Sequence, residues 1–268
     1  MNYGELLILA LNAGKKAGDA ILQVYKKDHF DTILKEDKSP VTEADLKAHR
    51  IIEDILQQSG IPLLSEEGKD IPWPERRMWN NFWLIDPLDG TKEFIKRNDE
   101  FTVNIALVHQ KKPVLGIIYA PAEDLMYAAG PSAGARKLKH FNSMRIDSLE
   151  SFLASGQELP IPDLKDHYSV VASRTHSNRQ TKTFIRSLRK QNPDLKIISR
   201  GSALKFCLVA EGSADVYPRM GPTWEWDTGA GQAIVESAGC SVTKYDDGKE
   251  LLYNKEILTN PWFIVRRN

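Results

Sequence analysis

The sequence predicts an α/β protein in which an α+β half, residues 1–155, precedes an α/β half, residues 156–268. Three observations carry this. Strand-like runs from IPLL to DLMYAAG follow two helical stretches in the first half. Beyond residue 167, short apolar strands (YSVVAS, ADVYPR, CSVTKY, WFIVR) alternate with helical segments at about 178–190, 202–211 and 228–238, as strands joined by covering helices do. Between the halves, residues 147–168 are polar, proline-punctuated and weakly periodic, so the boundary falls there.

Residues 3–25 read as a helix whose small-residue stripe of Ala10, Ala13, Ala17 and Val24 suits close packing. ILKEDKSPVT holds a short strand and a polar, proline-containing loop, expected to be mobile. Thr42 is a good N-cap for a helix running to about residue 59 with Ala44, Ala48, Ile51, Ile52 and Ile55 on its apolar face. IPLLSEEG is a buried strand ending in acids, and IPWPERRMW a proline-broken surface connection. FWLID is a second buried strand. TVNIALVHQKKPVLGIIYAP reads as a hairpin, and DLMYAAG adds a further strand.

Lys+Arg and Asp+Glu are both 36, giving zero formal net charge; a surface that coats a nucleic-acid polymer needs a basic excess. Cys207 and Cys240 show neither CxxC spacing nor a disulfide framework, which fits a reducing cytoplasm. The run LLILAL near the N-terminus is too short for a membrane span and follows Glu5 rather than a basic segment.

Acids repeatedly end buried strands or begin a helix: Glu66 and Glu67 after IPLLS, Asp86 and Asp89 after FWLI, and Asp227 in WEWDTGAG. Carboxylates, carbonyls and waters are the ligands of a hard divalent cation such as Mg²⁺. Each acid also has a local role open to it. Glu66-Glu67 suits a solvated loop, Asp227 a helix cap, Asp86-Pro-Leu-Asp89 an Asx turn, and Thr42-Glu-Ala-Asp45 a capping box. Independent caps do not explain the recurrence at strand ends. Pro87 and Gly90 bend the chain so that the Leu88 carbonyl has access to a cation, and the Thr91 hydroxyl is suited to accept and relay a proton from water. Ser202 at a predicted helix start, with Lys205 nearby, suits a phosphate. SALK also matches the SxxK pattern of serine acyl enzymes, but no SDN or KTG partner accompanies it.

WLIDPLDGTKEF, SEEG upstream and WDTGAGQAIVESAG downstream resemble the inositol monophosphatase-like superfamily of metal-dependent, lithium-sensitive phosphatases over essentially the whole chain. TVNIALV, LGIIYAP, ASRTH, GSALKFCLVAEG and ADVYPRMGPTWEWDT are more similar to its bacterial 3′(2′),5′-bisphosphate nucleotidases (CysQ type) than to its inositol phosphatases. Gly229 departs from the alanine usual in that group, a change expected to matter little.

The resemblance implies a layered αβαβα sandwich, two or more Mg²⁺ ions per site, and removal of the 3′-phosphate of adenosine 3′,5′-bisphosphate. It implies 3′-phosphoadenylyl sulfate as a second substrate and a part in sulfur assimilation and nucleotide recycling. One ion would be held by Glu66, Asp86 and the Leu88 carbonyl, a second by Asp86, Asp89 and Asp227. Asp45, Thr91 and Glu66 would be catalytic. Gly90, Thr91, Ser173, His176, Gly201, Ser202, Lys205, Arg219 and Asp227 would line the substrate site. The same resemblance implies a cytoplasmic monomer or homodimer, with peripheral attachment to the cytoplasmic face of the inner membrane as an alternative. An inositol monophosphatase and a non-catalytic nucleotide sensor are the rival functions.

Overall fold

A computed structural model describes residues 1–34, 40–162, 165–173 and 178–268 of the chain. In order, the elements are α1 (Tyr3–Tyr25), β1 (Thr32–Leu34), β2 (Pro40–Thr42), α2 (Glu43–Leu56), β3 (Leu63–Ser65), α3 (Trp73–Arg76), β4 (Asn81–Asp89), α4 (Thr91–Ile95), β5 (Thr102–His109), β6 (Lys112–Ala120), β7 (Leu125–Gly130) and β8 (Gly134–Lys139). They continue with α5 (Leu149–Ser155), β9 (Gln157–Glu158), β10 (Ser169–Ala172), α6 (Arg179–Gln191), β11 (Lys196–Ser199), α7 (Leu204–Glu211), β12 (Val216–Arg219), α8 (Gly229–Ser237), β13 (Ser241–Lys244) and β14 (Phe263–Arg266).

Strands β3 to β9 form a seven-stranded sheet in sequence order, and a five-stranded sheet runs β11-β10-β12-β14-β13. Period-2 alternation assigns each strand's side chains to two layers. Trp83 and Ile85 of β4 pack with Leu11, Ala17, Ala48 and Ile52 of α1 and α2. Phe82 and Leu84 point the other way, into a core shared with α7, α8 and the inner face of the second sheet. That sheet's outer face meets Ile185 and Leu188 of α6. The result is the expected αβαβα sandwich, with α7 and α8 as the middle layer. Close approach is bought with glycine: a Cβ on Gly116 of β6 would lie 2.5 Å from the Ala230 carbonyl of α8.

Several local expectations need correction. The polar stretch 147–168 contains α5, whose Ser148 cap and buried Phe152 give it a structured anchor. Strands β8 and β11 were not anticipated, because the Lys and Arg of β8 (GARKLK) and the brevity of β11 (KIIS) mask the strand pattern. Gly229 is tighter than expected, since an added methyl would meet Leu84 Cδ2 at 2.9 Å; Leu84 has filled the space. The loop expected to be mobile, around residues 35–39, lies outside the described residues. Among those described, no helix is long and apolar enough to cross a membrane.

The proline-broken connection is not a free surface loop either. Its Arg76 is buried and donates to the carbonyls of Ile71, Lys255 and Glu256 and to Asn254 Oδ1 at 3.0 Å. Asn254 in turn donates its backbone N–H to Glu225, which also accepts from Lys255 N and, at 2.6 Å, Lys255 Nζ. Glu225 is 0% exposed, and its own carbonyl accepts the N–H groups of Thr228 and Gly229 where α8 begins. A buried carboxylate with every partner in place is costly to truncate, because the donors left behind are stranded. Glu225→Ala should therefore destabilise the fold by about 3 kcal/mol, measured by urea denaturation; an effect below about 0.5 kcal/mol would show that water replaces the carboxylate freely.

Candidate active site

Topology brings the acids together. β3 and β4 are parallel with Ser65 opposite Ile85, so their carboxyl ends face one edge and the next residues, Glu66 and Asp86, are neighbours. Glu66 N bonds to the Ile85 carbonyl at 3.1 Å. Asp227 arrives on the turn before α8, which packs against β5 and β6. One carboxylate oxygen from each of Glu66, Asp86 and Asp227 lies within 4.8 Å of the others. Asp86 is 1% exposed. Burial, then the charges of Glu66, Asp89, Asp227 and Asp45, hold its carboxyl well above the usual carboxylate range. Asp227 is raised as well, by burial first and by Asp89 second.

Asp89 is the expected ligand that this group does not include. β4 bulges between Asp86 and Asp89 against β5, and Gly90 follows with φ +93°. The Asp89 carboxylate instead accepts from Ser202 Oγ at 2.6 Å and from Asn104 Nδ2 at 3.5 Å. Ser202 is therefore not the free helix-start hydroxyl that the sequence suggested: α7 starts at Leu204, and Ser202 sits before it with φ +52°. Asp227 does not cap α8; it accepts from Trp224 N at 2.9 Å. The Asx turn is real, with Leu88 N donating to Asp86 Oδ1 at 3.1 Å.

The capping box is also real, and it does more than cap. Asp45 Oδ2 accepts from the Thr42 N–H at 2.8 Å and the Thr42 hydroxyl at 2.6 Å. Its other oxygen accepts from Thr91 Oγ1 at 3.1 Å. The Thr91 hydroxyl also lies 3.3 Å from the Leu88 carbonyl. Burial raises the Asp45 carboxyl, against the opposing effect of the Thr42 bonds. A threonine whose proton is committed to a carboxylate presents a lone pair outward.

Next to the carboxylates is a cleft lined by Asp89, Gly90, Ser173, Gly201, Ser202, Lys205, Arg219 and Asp227. Every substrate-side residue expected from the sequence is here except Thr91, which lies with Asp45, and His176, which falls outside the described residues. Lys205 is buried, donates to the Ser202 carbonyl and lies 5.6 Å from the Tyr217 ring centroid. Burial lowers its ammonium pKa to about 8, against the pull of Asp89. Sequence reasoning missed Glu93, Tyr217 and Phe263, which also line the cleft. Glu93 stood in the quoted DGTKEF and carried a signal; Tyr217 and Phe263 read as ordinary core aromatics, and Tyr217 packs edge-on to Phe206 and Phe263.

Residues 2–265 match the inositol monophosphatase family, and the chain belongs to it. Within the family it is 45% identical over 262 residues to the 3′(2′),5′-bisphosphate nucleotidase CysQ of Shigella flexneri, covering 94% of this chain and 95% of that one. The CysQ of Escherichia coli K12 is 44% identical over 256 residues, with the same coverage. The crystal structure of CysQ from Bacteroides thetaiotaomicron superposes with a TM-score of 0.92 at 46% identity, over 99% of this chain and 98% of that one. The suhB protein of Bartonella henselae is more distant, with TM-score 0.72 and 26% identity over 97% and 92% of the two chains.

Because Asp86 and Asp227 titrate above their ordinary range when folded, the folded protein binds protons that the unfolded chain does not. Stability therefore falls as pH rises through that window. In chelator, the melting temperature should rise between about pH 8 and about pH 6. Asp86→Asn should melt higher than wild type at the alkaline end, by about 2–4 °C per kcal/mol of repulsion removed, with a flatter profile. A lower melting point for this variant in chelator would show that the carboxylate is held by donors rather than repelled.

Proposed function

We propose that the chain is a Mg²⁺-dependent phosphomonoesterase that removes the 3′-phosphate of adenosine 3′,5′-bisphosphate, leaving AMP and phosphate. The observation that carries the proposal is the adjacency of a three-carboxylate group to a cleft holding a buried lysine and an arginine. Kinship to the CysQ nucleotidases supports the substrate, 3′-phosphoadenylyl sulfate as a second one, and a place in sulfur assimilation.

The donor set fits Mg²⁺. It is all oxygen, it converges, and its like charges need a cation to offset them. Glu66, Asp86 and Asp227 would hold one ion with the Leu88 carbonyl close by, and Asp89 with Asp86 would serve a second. Bound there, the cations would acidify water and take up charge developing on the phosphoryl oxygens. The chain's own residues do the rest. Thr91 orients the attacking water through its outward lone pair, and Asp45 receives the proton through Thr91. Lys205, with Arg219, holds the phosphate that the reaction leaves in place. Labour divides near residue 155: the N-terminal part supplies most carboxylates, and the C-terminal part supplies Asp227 and most of the cleft, which Asp89, Gly90 and Glu93 complete. The two buried free cysteines are compatible with a cytoplasmic site of action.

Proton relay of this kind contributes about 10²–10⁴-fold. Thr91→Ala should lower kcat by that factor with little change in KM or melting temperature; a loss of stability alone would leave Thr91 as a turn residue. The substrate assignment is tested by phosphate release from adenosine 3′,5′-bisphosphate, its sulfated relative, 3′-AMP and inositol 1-phosphate. The bisphosphate should have the highest kcat/KM. A charge-assisted contact is worth about 1.5–3 kcal/mol, so Lys205→Ala should cut kcat/KM for the bisphosphate roughly 10–150-fold. The same variant should scarcely affect 3′-AMP, which lacks the second phosphate. Equal losses on both would overturn the role of Lys205, and a wild-type preference for inositol 1-phosphate would favour the inositol phosphatase instead.

A further inference from the structure

Two polar side chains on β5 have no part in the function above. Thr102 and Asn104 are 0% and 1% exposed, in a strand whose other residues are apolar apart from the terminal His109. Burying an amide and a hydroxyl costs free energy unless both are bonded. Their register explains them: across the antiparallel pair Asn104 faces Asp86, and across the bulge Thr102 faces Asp89.

The hydrogen bonds run one way. Ser202 has a single hydroxyl proton, and it goes to Asp89 Oδ2, 2.6 Å away. The Ser202 oxygen can then only accept, and Thr102 Oγ1 lies in short contact with it. Thr102 has one proton to give, either to Ser202 Oγ or to Asn104 Oδ1 at 2.9 Å, and each of these residues in turn donates to Asp89 Oδ2, Ser202 through its hydroxyl and Asn104 through its amide. A carboxylate only accepts, so Ser202 and Asn104 are its donors and Thr102 stands behind them. Ser202 reaches this position with φ +52°, a conformation that L residues with a Cβ seldom adopt.

We propose that Thr102 and Asn104 are positioning residues that, together with Ser202, hold the Asp89 carboxylate facing the cation site, Asn104 by donating to it directly and Thr102 by holding its donors. The inference rests on the proposed assignment of the carboxylates to divalent cations. Without these donors Asp89, repelled by Asp86 and Asp227, would turn toward the Lys205 ammonium. It also implies that Ser202 cannot give its proton to a bound phosphate while it holds Asp89.

The test is binding of Mn²⁺ alone, followed by electron paramagnetic resonance and calorimetry, in wild type, Thr102→Val, Thr102→Ser and Ser202→Gly, each with its melting temperature. Groups that orient a metal ligand typically contribute about 10–100-fold in affinity. Thr102→Val should lose that factor at the weaker Mn²⁺ site, and Thr102→Ser should recover it. Ser202→Gly relieves the left-handed strain, so it should fold at least as stably yet bind Mn²⁺ as poorly as Thr102→Val. Even if Thr102→Val failed to fold, the glycine variant would decide the matter. Wild-type affinity in Ser202→Gly, or no rescue by Thr102→Ser, would overturn the positioning role alone. No saturable Mn²⁺ binding by wild type would overturn the cation site together with it.

Discussion

Repulsion among buried carboxylates is the constraint to which the rest of the structure answers. Asp86 lies under the carboxyl end of a central strand, with Glu66, Asp89, Asp227 and Asp45 all raising its pKa. Folding gains nothing from such a cluster, because burial and mutual charge both oppose ionisation. The surrounding structure holds it open by giving most of these acids fixed neutral donors. Leu88 N serves Asp86, Trp224 N serves Asp227, Thr42 serves Asp45, and Ser202 with Asn104 serves Asp89. Backbone amides and hydroxyls orient these groups, while burial and mutual repulsion favour the protonated forms of Asp86 and Asp227, whose protons a bound cation would displace.

That requirement fixes where the acids stand. Parallel pairing of β3 with β4 aligns Glu66 with Asp86, and the bulge in β4 sets Asp89 to one side. Asp227 belongs to the C-terminal half and reaches the cluster only because α8 lies between the sheets, close against Gly116. The Glu225 network, two residues before Asp227, pins that turn from behind through Asn254 and Arg76. Rigidity here comes from satisfied buried polar groups rather than from apolar packing, and such networks hold geometry well while complete.

Legibility in the sequence followed the range of the interactions. Strands with strong alternation and helices with clear caps were readable, as were acids grouped at strand ends. Strands β8 and β11 were not, because β8 is interrupted by Arg136, Lys137 and Lys139 and β11 is only four residues long, so that pairing with neighbours is what shows them to be strands. The buried Arg76 was unreadable for a similar reason: its partners, Asn254, Lys255 and Glu256, lie about 180 residues away. The local alternatives proved not to be alternatives. The Asp45 capping box and the Asp86 Asx turn both exist, and in each the second carboxylate oxygen remains for the site. Ser202 was misjudged because helix-start chemistry is local, whereas its hydroxyl is claimed by Asp89 from the other sheet.

The same distribution separates the acids from the rest of the cleft wall. The bulge, the capping box and all of the clustered acids except Asp227 belong to the N-terminal sheet and its helices. Lys205, Arg219, Tyr217 and Phe263 come from the second sheet and the helix that covers it, and they line the cleft. The Ser202–Asp89 bond is where the two meet, since one hydroxyl proton from the substrate side steadies a carboxylate on the cation side. A substitution on the cleft wall near Ser202 therefore has two routes to activity, one through substrate contacts and one through Asp89. Changes at Tyr217 or Phe263, which touch neither Ser202 nor a carboxylate by hydrogen bond, have only the first.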